Sequence, residues 1–184
     1  MSKGTTIKDA LKRWQDKYEK DPIEAKDVQL QFQWPPIEKM DSTLSTLKAC
    51  EKLSLSTNMI EKIVGVNGLR NLKILSLSRN YIKSLAGIEA LSDNLVELWM
   101  SYNLIEKLKG IESMKALRVF YVANNMVKDW GEFMRMSVPP KLEDIAFAGN
   151  PLVENMDDSS YKSEAMKRLP NLKKLDGEPV VRGV

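Results

Sequence analysis

The side chains of this sequence that could act on another molecule favour binding over catalysis. Histidine is absent from all 184 residues, which removes histidine-dependent nucleophile systems and histidine metal ligands. The sequence contains neither a Walker-type nor a Rossmann glycine loop. The adjacent carboxylates Asp157 and Asp158 lie in a polar stretch, where a solvated turn is expected. We therefore predict that the protein is not an enzyme and has no metal site or bound cofactor.

Aromatic and basic side chains are the remaining candidates for recognition of a partner. Trp99 and Tyr121 lie 22 positions apart. A set of lysines recurs at a similar spacing, each three or four residues after an asparagine: Lys62, Lys83, Lys107 and Lys128. The C-terminal region adds further basic residues: Lys167, Arg168, Lys173, Lys174 and Arg182. Such side chains bind a partner by stacking, apolar contact and charge. Whether they form one site depends on the elements that position them.

Those elements are predicted by a repeated phrase, Leu-x-x-Leu-x-Leu-x-x-Asn-x-Ile. Clear copies begin at Leu72 and Leu95, and looser copies begin at Cys50, Leu117 and Leu142. Its asparagines are Asn58, Asn80, Asn103, Asn125 and Asn150, with spacings of 22, 23, 22 and 25 residues. A period near this value is typical of leucine-rich repeats. We predict an α/β leucine-rich-repeat solenoid of about six coils, the first degenerate, with a parallel sheet on one face.

Both ends of the chain deviate from the phrase, as expected for caps that shield the open ends of a solenoid core. We predict an N-terminal helical cap over residues 1–27 and leucine-rich repeats over 28–152. A C-terminal helical cap follows over 153–177, and a tail over 178–184 trails free or folds back along the surface. Capped ends disfavour end-to-end stacking, so we expect a monomer when the protein is free.

Composition narrows the class of partner. The net charge of +3 and the pI near 8.8 are too low to indicate nucleic-acid binding by themselves. No apolar run approaches the roughly 18 residues that a membrane span needs. The single cysteine, Cys50, occupies an apolar repeat position and cannot form an intramolecular disulfide. We predict neither a nucleic-acid nor a membrane partner, and a soluble protein of a reducing compartment such as the cytoplasm.

The alternation of a strand identifies a candidate binding face. If the leucines of each Leu-x-Leu point inward, the residues between and beside them point outward. The candidate set for a partner is Ile74, Ser76, Glu97, Trp99, Ser101, Val119, Tyr121 and Asp144. Trp99 and Tyr121 occupy equivalent positions in adjacent coils, so their side chains should lie about 5 Å apart. An exposed apolar and aromatic patch indicates an interaction site, although a terminal helix of the same chain is an alternative cover.

The lysines after the asparagines are expected to form a basic row along one edge of the solenoid. Together with the C-terminal basic residues, the row is a candidate surface for an acidic partner. Alternatively, these lysines serve only to keep a small domain in solution.

Several segments resemble the axonemal outer-arm dynein light chain 1 family. The most specific are Pro-Pro-Ile-Glu-Lys-Met-Asp at 35–41 and Glu-Leu-Trp-Met-Ser-Tyr-Asn at 97–103. Residues 5–10, 53–58 and 169–177 also fit, so the resemblance covers nearly the whole chain. It implies a non-catalytic subunit of dynein in the axoneme of a cilium or flagellum. It further implies binding to the stalk microtubule-binding domain of a heavy chain, close to tubulin, and modulation of motor–microtubule engagement.

The family resemblance and the residue pattern together give one hypothesis for the site. The patch around Trp99 and Tyr121 anchors the heavy chain, Glu97 and Asp144 select its orientation, and the basic residues face acidic tubulin. A basic C-terminal site proposed for the family is reduced here, since Arg182 is the only basic residue after Lys174. Two alternatives remain open: a leucine-rich-repeat regulatory subunit of a protein phosphatase, and a scaffold in a nuclear RNA–protein complex.

Overall fold

Each repeat forms one coil that contributes a three-residue strand to a common sheet. The computed structural model describes residues 3–183; residues 1, 2 and 184, at the outer ends of the predicted cap and tail, lie outside the description. Within that range the strands form one eight-stranded sheet in chain order. They are β1 Asp27–Gln29, β2 Lys52–Ser54, β3 Ile74–Ser76, β4 Glu97–Trp99, β5 Val119–Tyr121, β6 Asp144–Ala146, β7 Lys174–Leu175 and β8 Glu178–Pro179. Strands β1 to β7 are parallel, and β8 is antiparallel to β7.

The parallel register places equivalent repeat positions side by side. Leu75 pairs with Leu98, which pairs with Phe120, and the alignment continues to Ile145. The inward residues of the five phrases are all buried: Leu53, Leu55, Leu75, Leu77, Leu98, Met100, Phe120, Val122, Ile145 and Phe147. Burial of each such side chain stabilises the fold by roughly 1.5–3 kcal/mol. The predicted leucine-rich-repeat solenoid is therefore confirmed.

Short helical turns close the coils on the side opposite the sheet. The 3₁₀ turns are Ser42–Thr46, Ile88–Leu91, Ile111–Ser113 and Arg135–Ser137. The longest coil also carries a short α-helix, α2, over Trp130–Met134, which is capped by the Asp129 carboxylate accepting the Glu132 N–H at 2.9 Å. The extra residues between Asn125 and Asn150 are thus used on the return side, and the strand spacing is unchanged.

The repeat asparagines form a buried ladder that ties each coil to the preceding one. Asn103 donates from Nδ2 to the carbonyl oxygens of Leu77 at 2.9 Å and Met100 at 3.0 Å. Its Oδ1 accepts the Ile82 N–H at 3.0 Å. Equivalent bonds are made by Asn58, Asn80, Asn125 and Asn150. The ladder satisfies backbone groups that the turn after each strand would otherwise bury unpaired.

Helix α1, Ile7–Tyr18, covers the N-terminal end of the core. Thr6 caps the helix, since its hydroxyl accepts the Asp9 N–H at 3.1 Å. Ile7, Leu11 and Trp14 are buried on its inner face, at the spacing expected of an amphipathic helix.

The C-terminal cap extends the sheet beyond the six strands expected from the repeats. Helix α3, Asp158–Arg168, is followed by β7, whose Leu175 pairs with Ile145 of β6. The residues after Gly177 do not trail free: they turn back as β8 along β7. Two side chains hold this turn, because Asp176 accepts the Phe147 N–H at 2.7 Å and the Tyr161 hydroxyl at 2.7 Å. Nowhere in residues 3–183 is a helix long and apolar enough to cross a bilayer.

Candidate protein-binding surface

The outward side chains of β4 and β5 form a stacked aromatic pair at the centre of the sheet face. Trp99 and Tyr121 are register partners. Their ring centroids lie 6.4 Å apart at an interplanar angle of 20°, somewhat further than the separation expected from strand spacing. Both residues are partly buried. The two rings therefore form one flat apolar surface shared by adjacent coils, a geometry favoured for aromatic pairs.

Polar groups flank the aromatic pair on both sides. The Lys52 ammonium lies 5.5 Å from the Trp99 ring centroid, within cation–π range. The Tyr121 hydroxyl donates to Asp144 Oδ2 at 3.1 Å. Burial, and then the negative charge of Asp144, raises the pKa of Tyr121, so the phenol remains a donor at neutral pH. Both contacts fix the orientation of the rings and limit their freedom to change on binding.

Two buried polar atoms at this site have no hydrogen-bond partner. Across residues 3–183 the buried side-chain nitrogen and oxygen atoms in this condition are Trp99 Nε1 and Asp144 Oδ1. Leaving such a group unpaired costs about 1–3 kcal/mol. One atom is a donor and the other an acceptor, and both belong to the predicted anchor. Because neither atom is accessible to solvent, a partner reaches them only if the surrounding side chains move.

The structure brings the other predicted face residues around the aromatic pair. Ile74, Glu97, Val119 and Asp144 follow one another across β3 to β6 as register partners, and all are partly buried. Ser101 is partly buried just beyond β4, whereas Ser76, the register partner of Trp99, is buried. The set is contiguous, with the two carboxylates separated by one strand. Helix α1 packs instead on the Ser42–Thr46 turn at the N-terminal end.

The predicted basic row is exposed but contains acids as well. Lys62, Lys83, Lys107 and Lys128 are all exposed on the coils after the asparagine ladder. Glu61, Glu106 and Asp129 are interleaved with them in the sequence. Lys128 Nζ lies 3.5 Å from Glu106 Oε1, so this lysine is already paired. The row therefore has mixed charge, with an excess of lysine.

The C-terminal basic residues divide into engaged and exposed groups. Arg168 pairs with Glu164 and lies over the Trp130 ring, 4.1 Å from its centroid. Lys173 pairs with Glu143 at 3.1 Å. Arg182 donates to three backbone carbonyl oxygens, those of Met166 at 3.1 Å, Leu169 at 2.9 Å and Leu172 at 3.2 Å. Lys167 and Lys174 are exposed and are the members of this group best placed to contact another molecule.

Sequence analysis missed the side-chain contacts that complete the site. Lys52 is two strands away from Trp99 in the sheet, and its cation–π contact depends on which way the indole leans. The bond from Tyr121 to Asp144 likewise spans 23 residues. The sequence signal for these residues is the alignment of the first and third positions of each strand. It identifies Lys52 and Asp144 as face residues but does not reveal which side chains they contact.

The fold defines the class: this is a leucine-rich-repeat protein. A chain of the Drosophila melanogaster SNF/U2A′ complex superposes with a TM-score of 0.68 at 20% identity, over 78% of this chain and 86% of that one. A leucine-rich-repeat protein of Leptospira interrogans superposes with a TM-score of 0.61 at 26% identity, over 80% and 36%. These likenesses support the fold, and no protein-family model matches the chain.

Sequence relatives give the family. The chain is 59% identical to the Homo sapiens dynein axonemal light chain 1 over 184 residues, covering 100% of this chain and 97% of the relative. The Chlamydomonas reinhardtii dynein axonemal light chain 1 is 55% identical, over 98% and 93%. The chain belongs to the dynein axonemal light chain 1 family, which confirms the resemblance seen in the sequence. Membership places the protein in the axoneme of a cilium or flagellum.

Proposed function

We propose that the protein is a non-catalytic light-chain subunit of outer-arm dynein that binds the stalk microtubule-binding domain of a heavy chain through its sheet face. In this position, close to tubulin, it modulates how the motor engages the microtubule. Family membership supports the association with dynein. The observation that carries the choice of surface is the Trp99–Tyr121 stack, a partly buried aromatic pair at the centre of the sheet face.

Energetics favour a partner at this surface. The Trp99 and Tyr121 rings supply the apolar contact area that is typical of binding hot spots. Glu97 and Asp144 favour a basic side chain on the partner.

The partner is best identified by recovery from axonemal extract with the recombinant protein, with an isolated heavy-chain stalk-tip domain tested in parallel. We expect the stalk-tip domain to be retained by the wild-type protein. Trp34→Ala is the matched control for Trp99→Ala, since Trp34 is 78% exposed and lies outside the sheet-face patch. Recovery of a phosphatase catalytic subunit, or of a nuclear RNA–protein complex, without any dynein heavy chain would contradict the proposal.

The basic residues are proposed to face acidic tubulin. The lysines best placed for this are Lys62, Lys83, Lys107, Lys167 and Lys174, because each is exposed and none has an acidic partner within 4 Å among the described residues. Arg168, Lys173 and Arg182 contribute less, since their charged groups already contact the protein itself.

Salt dependence tests this division of roles. Exposed charge pairs are screened over about 8–10 Å at ordinary ionic strength, whereas the sheet-face anchor is partly buried and largely apolar. We expect tubulin affinity to fall by at least about tenfold between about 0.05 and about 0.3 M salt, and heavy-chain affinity to change by less than about threefold. Co-sedimentation with microtubules and titration of the stalk-tip domain measure the two. Equal salt dependence in both would contradict the assignment.

A further inference from the structure

A row of exposed apolar side chains follows the asparagine ladder. The residue immediately after a ladder asparagine is apolar in four consecutive coils. These residues, the apolar ridge, are Met59, Tyr81, Leu104 and Met126, with exposures of 44%, 49%, 39% and 38%. The residue after each of them is buried: Ile60, Ile82, Ile105 and Val127. The ridge is therefore the outward half of an alternating segment, and burial in the core does not explain why it is apolar.

Backbone hydrogen bonds hold the ridge straight. The Tyr81 N–H donates to Ile60 O at 2.8 Å, and the Leu104 N–H donates to Ile82 O at 2.9 Å. The Met126 N–H continues the series to Ile105 O at 2.8 Å. Each ridge residue is thus bonded to the coil before it, at the inter-strand step of about 4.8 Å. Four side chains in line present an apolar strip about 15 Å long on a rigid support.

In the described part of the chain, lysines without an acidic partner follow the ridge residues in three of the four coils. Lys83 follows Tyr81 by two residues, and Lys62 and Lys107 follow their ridge residues by three. None of these three lysines has a carboxylate within 4 Å among residues 3–183.

The interleaved acids offer less charge to a partner. Glu106 pairs with Lys128, and the Asp129 carboxylate caps α2. Glu61 is left against the three free lysines, so the flank offers net positive charge to a partner.

We propose that the apolar ridge and its lysine flank bind an amphipathic α-helix of a partner protein that carries one apolar residue per turn and acidic residues along one side. A helix rises about 5.4 Å per turn, close to the step of about 4.8 Å between coils, so over three steps the two repeats drift apart by only about 2 Å. Alternate side chains of an extended strand are about 6.6 Å apart and would drift by more than about 5 Å. The lysines complement the acidic flank.

This site is separate from the sheet-face anchor. The inference rests on the proposed function in one respect, that the lysine row contacts an acidic surface. It adds that this surface is a helix in contact with the ridge. A flexible acidic chain satisfies the lysines but leaves the four apolar side chains in water. The ridge therefore distinguishes an ordered helix from a disordered acidic tail.

The probe for the test is a synthetic, fluorescently labelled helical peptide of about 18 residues, or five turns. It carries leucine once per turn with glutamates along one flank, and its control is a scrambled peptide of the same composition. Binding to the full-length protein is measured by fluorescence anisotropy. We expect the amphipathic peptide to bind at least about tenfold more tightly than the scrambled one.

The double variant Tyr81→Ser with Leu104→Ser is expected to weaken binding of the amphipathic peptide by at least about tenfold. A matched control is Val138→Ser, which alters an exposed apolar residue outside the ridge. Thermal unfolding of each variant checks that the fold is retained. Lys83→Gln with Lys107→Gln should reduce affinity by a smaller, salt-dependent factor.

Three results overturn the inference. Equal binding of both peptides means that charge alone is recognised, which leaves the tubulin proposal in place. Self-association of the protein that is lost in the ridge variant makes a second copy the occupant. Binding of the stalk-tip domain to a protein that ignores the peptide removes the ridge site, while the proposed function stands.

Discussion

At the scale of single residues, the ladder asparagines contribute more to stability than most asparagines do, because asparagine is usually exposed in folded proteins. The side chain of Asn103 satisfies two carbonyl groups and one N–H, and two of these three groups belong to the preceding coil. All of these atoms are buried between coils. Removing the amide therefore leaves several buried backbone groups without a partner.

Replacing Asn103 with alanine is expected to lower the free energy of unfolding by about 3 kcal/mol, because buried donors and acceptors lose their partner. Urea titration followed by circular dichroism measures the change. Asn67→Ala is the matched control, since Asn67 is exposed and outside the ladder, and should change stability by less than about 0.5 kcal/mol. A similar small effect in both variants would show that the ladder is dispensable.

Cys50 predicts a pH dependence. The thiol is fully buried, and burial raises its pKa from 9.0 to about 11. Between these values the unfolded chain has released the proton while the folded protein retains it. This contribution to stability is therefore full below pH about 9 and is lost as the pH rises toward about 11.

The expected loss through this window is on the order of 2 kcal/mol. It is measured as the difference between the wild-type protein and Cys50→Ala in urea titrations at several alkaline pH values, since other groups titrate equally in both. A difference that stays constant with pH would contradict a raised thiol pKa in the fold.

At the scale of elements, the repeat phrase was sufficient for β2 to β6 because each strand overlaps one Leu-x-Leu, with its central residue the first apolar residue of that segment. The segment that leads into β7 carries only Leu172 and Leu175 of the phrase, so it was assigned to the cap. Asp176 supports its pairing with β6 by accepting the N–H groups of Phe147 and Ala148 beside the ladder's last asparagine. A contact made across 28 residues by a turn aspartate has no local signal in the sequence.

The candidate site could likewise be predicted only in part from the sequence. Strand alternation identified the residues that share the face, including Trp99, Tyr121 and Asp144. It did not identify the unpaired Nε1 and Oδ1 atoms, because those depend on side-chain rotamers and on neighbouring strands. The sequence also made Arg182 a candidate tubulin-facing residue, but it gave no sign that the guanidinium donates to three backbone carbonyls.

Arg182→Ala is expected to loosen the C-terminal cap, because the last turn of α3 and the loop after it lose a shared donor. Hydrogen exchange of α3 amides should accelerate by at least about fivefold, with exchange in α1 unchanged. Lys167→Ala is a control in the same region, since that lysine is exposed. If Arg182→Ala instead weakens microtubule binding with unchanged exchange in α3, the arginine acts in binding and does not stabilise the cap.

At the scale of the whole molecule, the solenoid keeps the proposed binding surfaces apart. The sheet face presents the Trp99–Tyr121 stack, the edge after the ladder presents the apolar ridge with its lysines, and the C-terminal cap presents Lys167 and Lys174. Each surface lies on a different side of the same stack of coils. A small rigid subunit can in this way bind the motor and still offer separate surfaces toward the track.

The central claim is that the sheet face anchors the heavy chain, and the most direct test is calorimetric titration of an isolated stalk-tip domain into wild-type, Trp99→Ala and Trp34→Ala protein. We expect Trp99→Ala to weaken binding by at least about 2 kcal/mol, about thirtyfold, and Trp34→Ala to stay close to wild type. Circular dichroism confirms that both variants are folded. Wild-type affinity in a folded Trp99→Ala protein would contradict the account and move the anchor away from the sheet face.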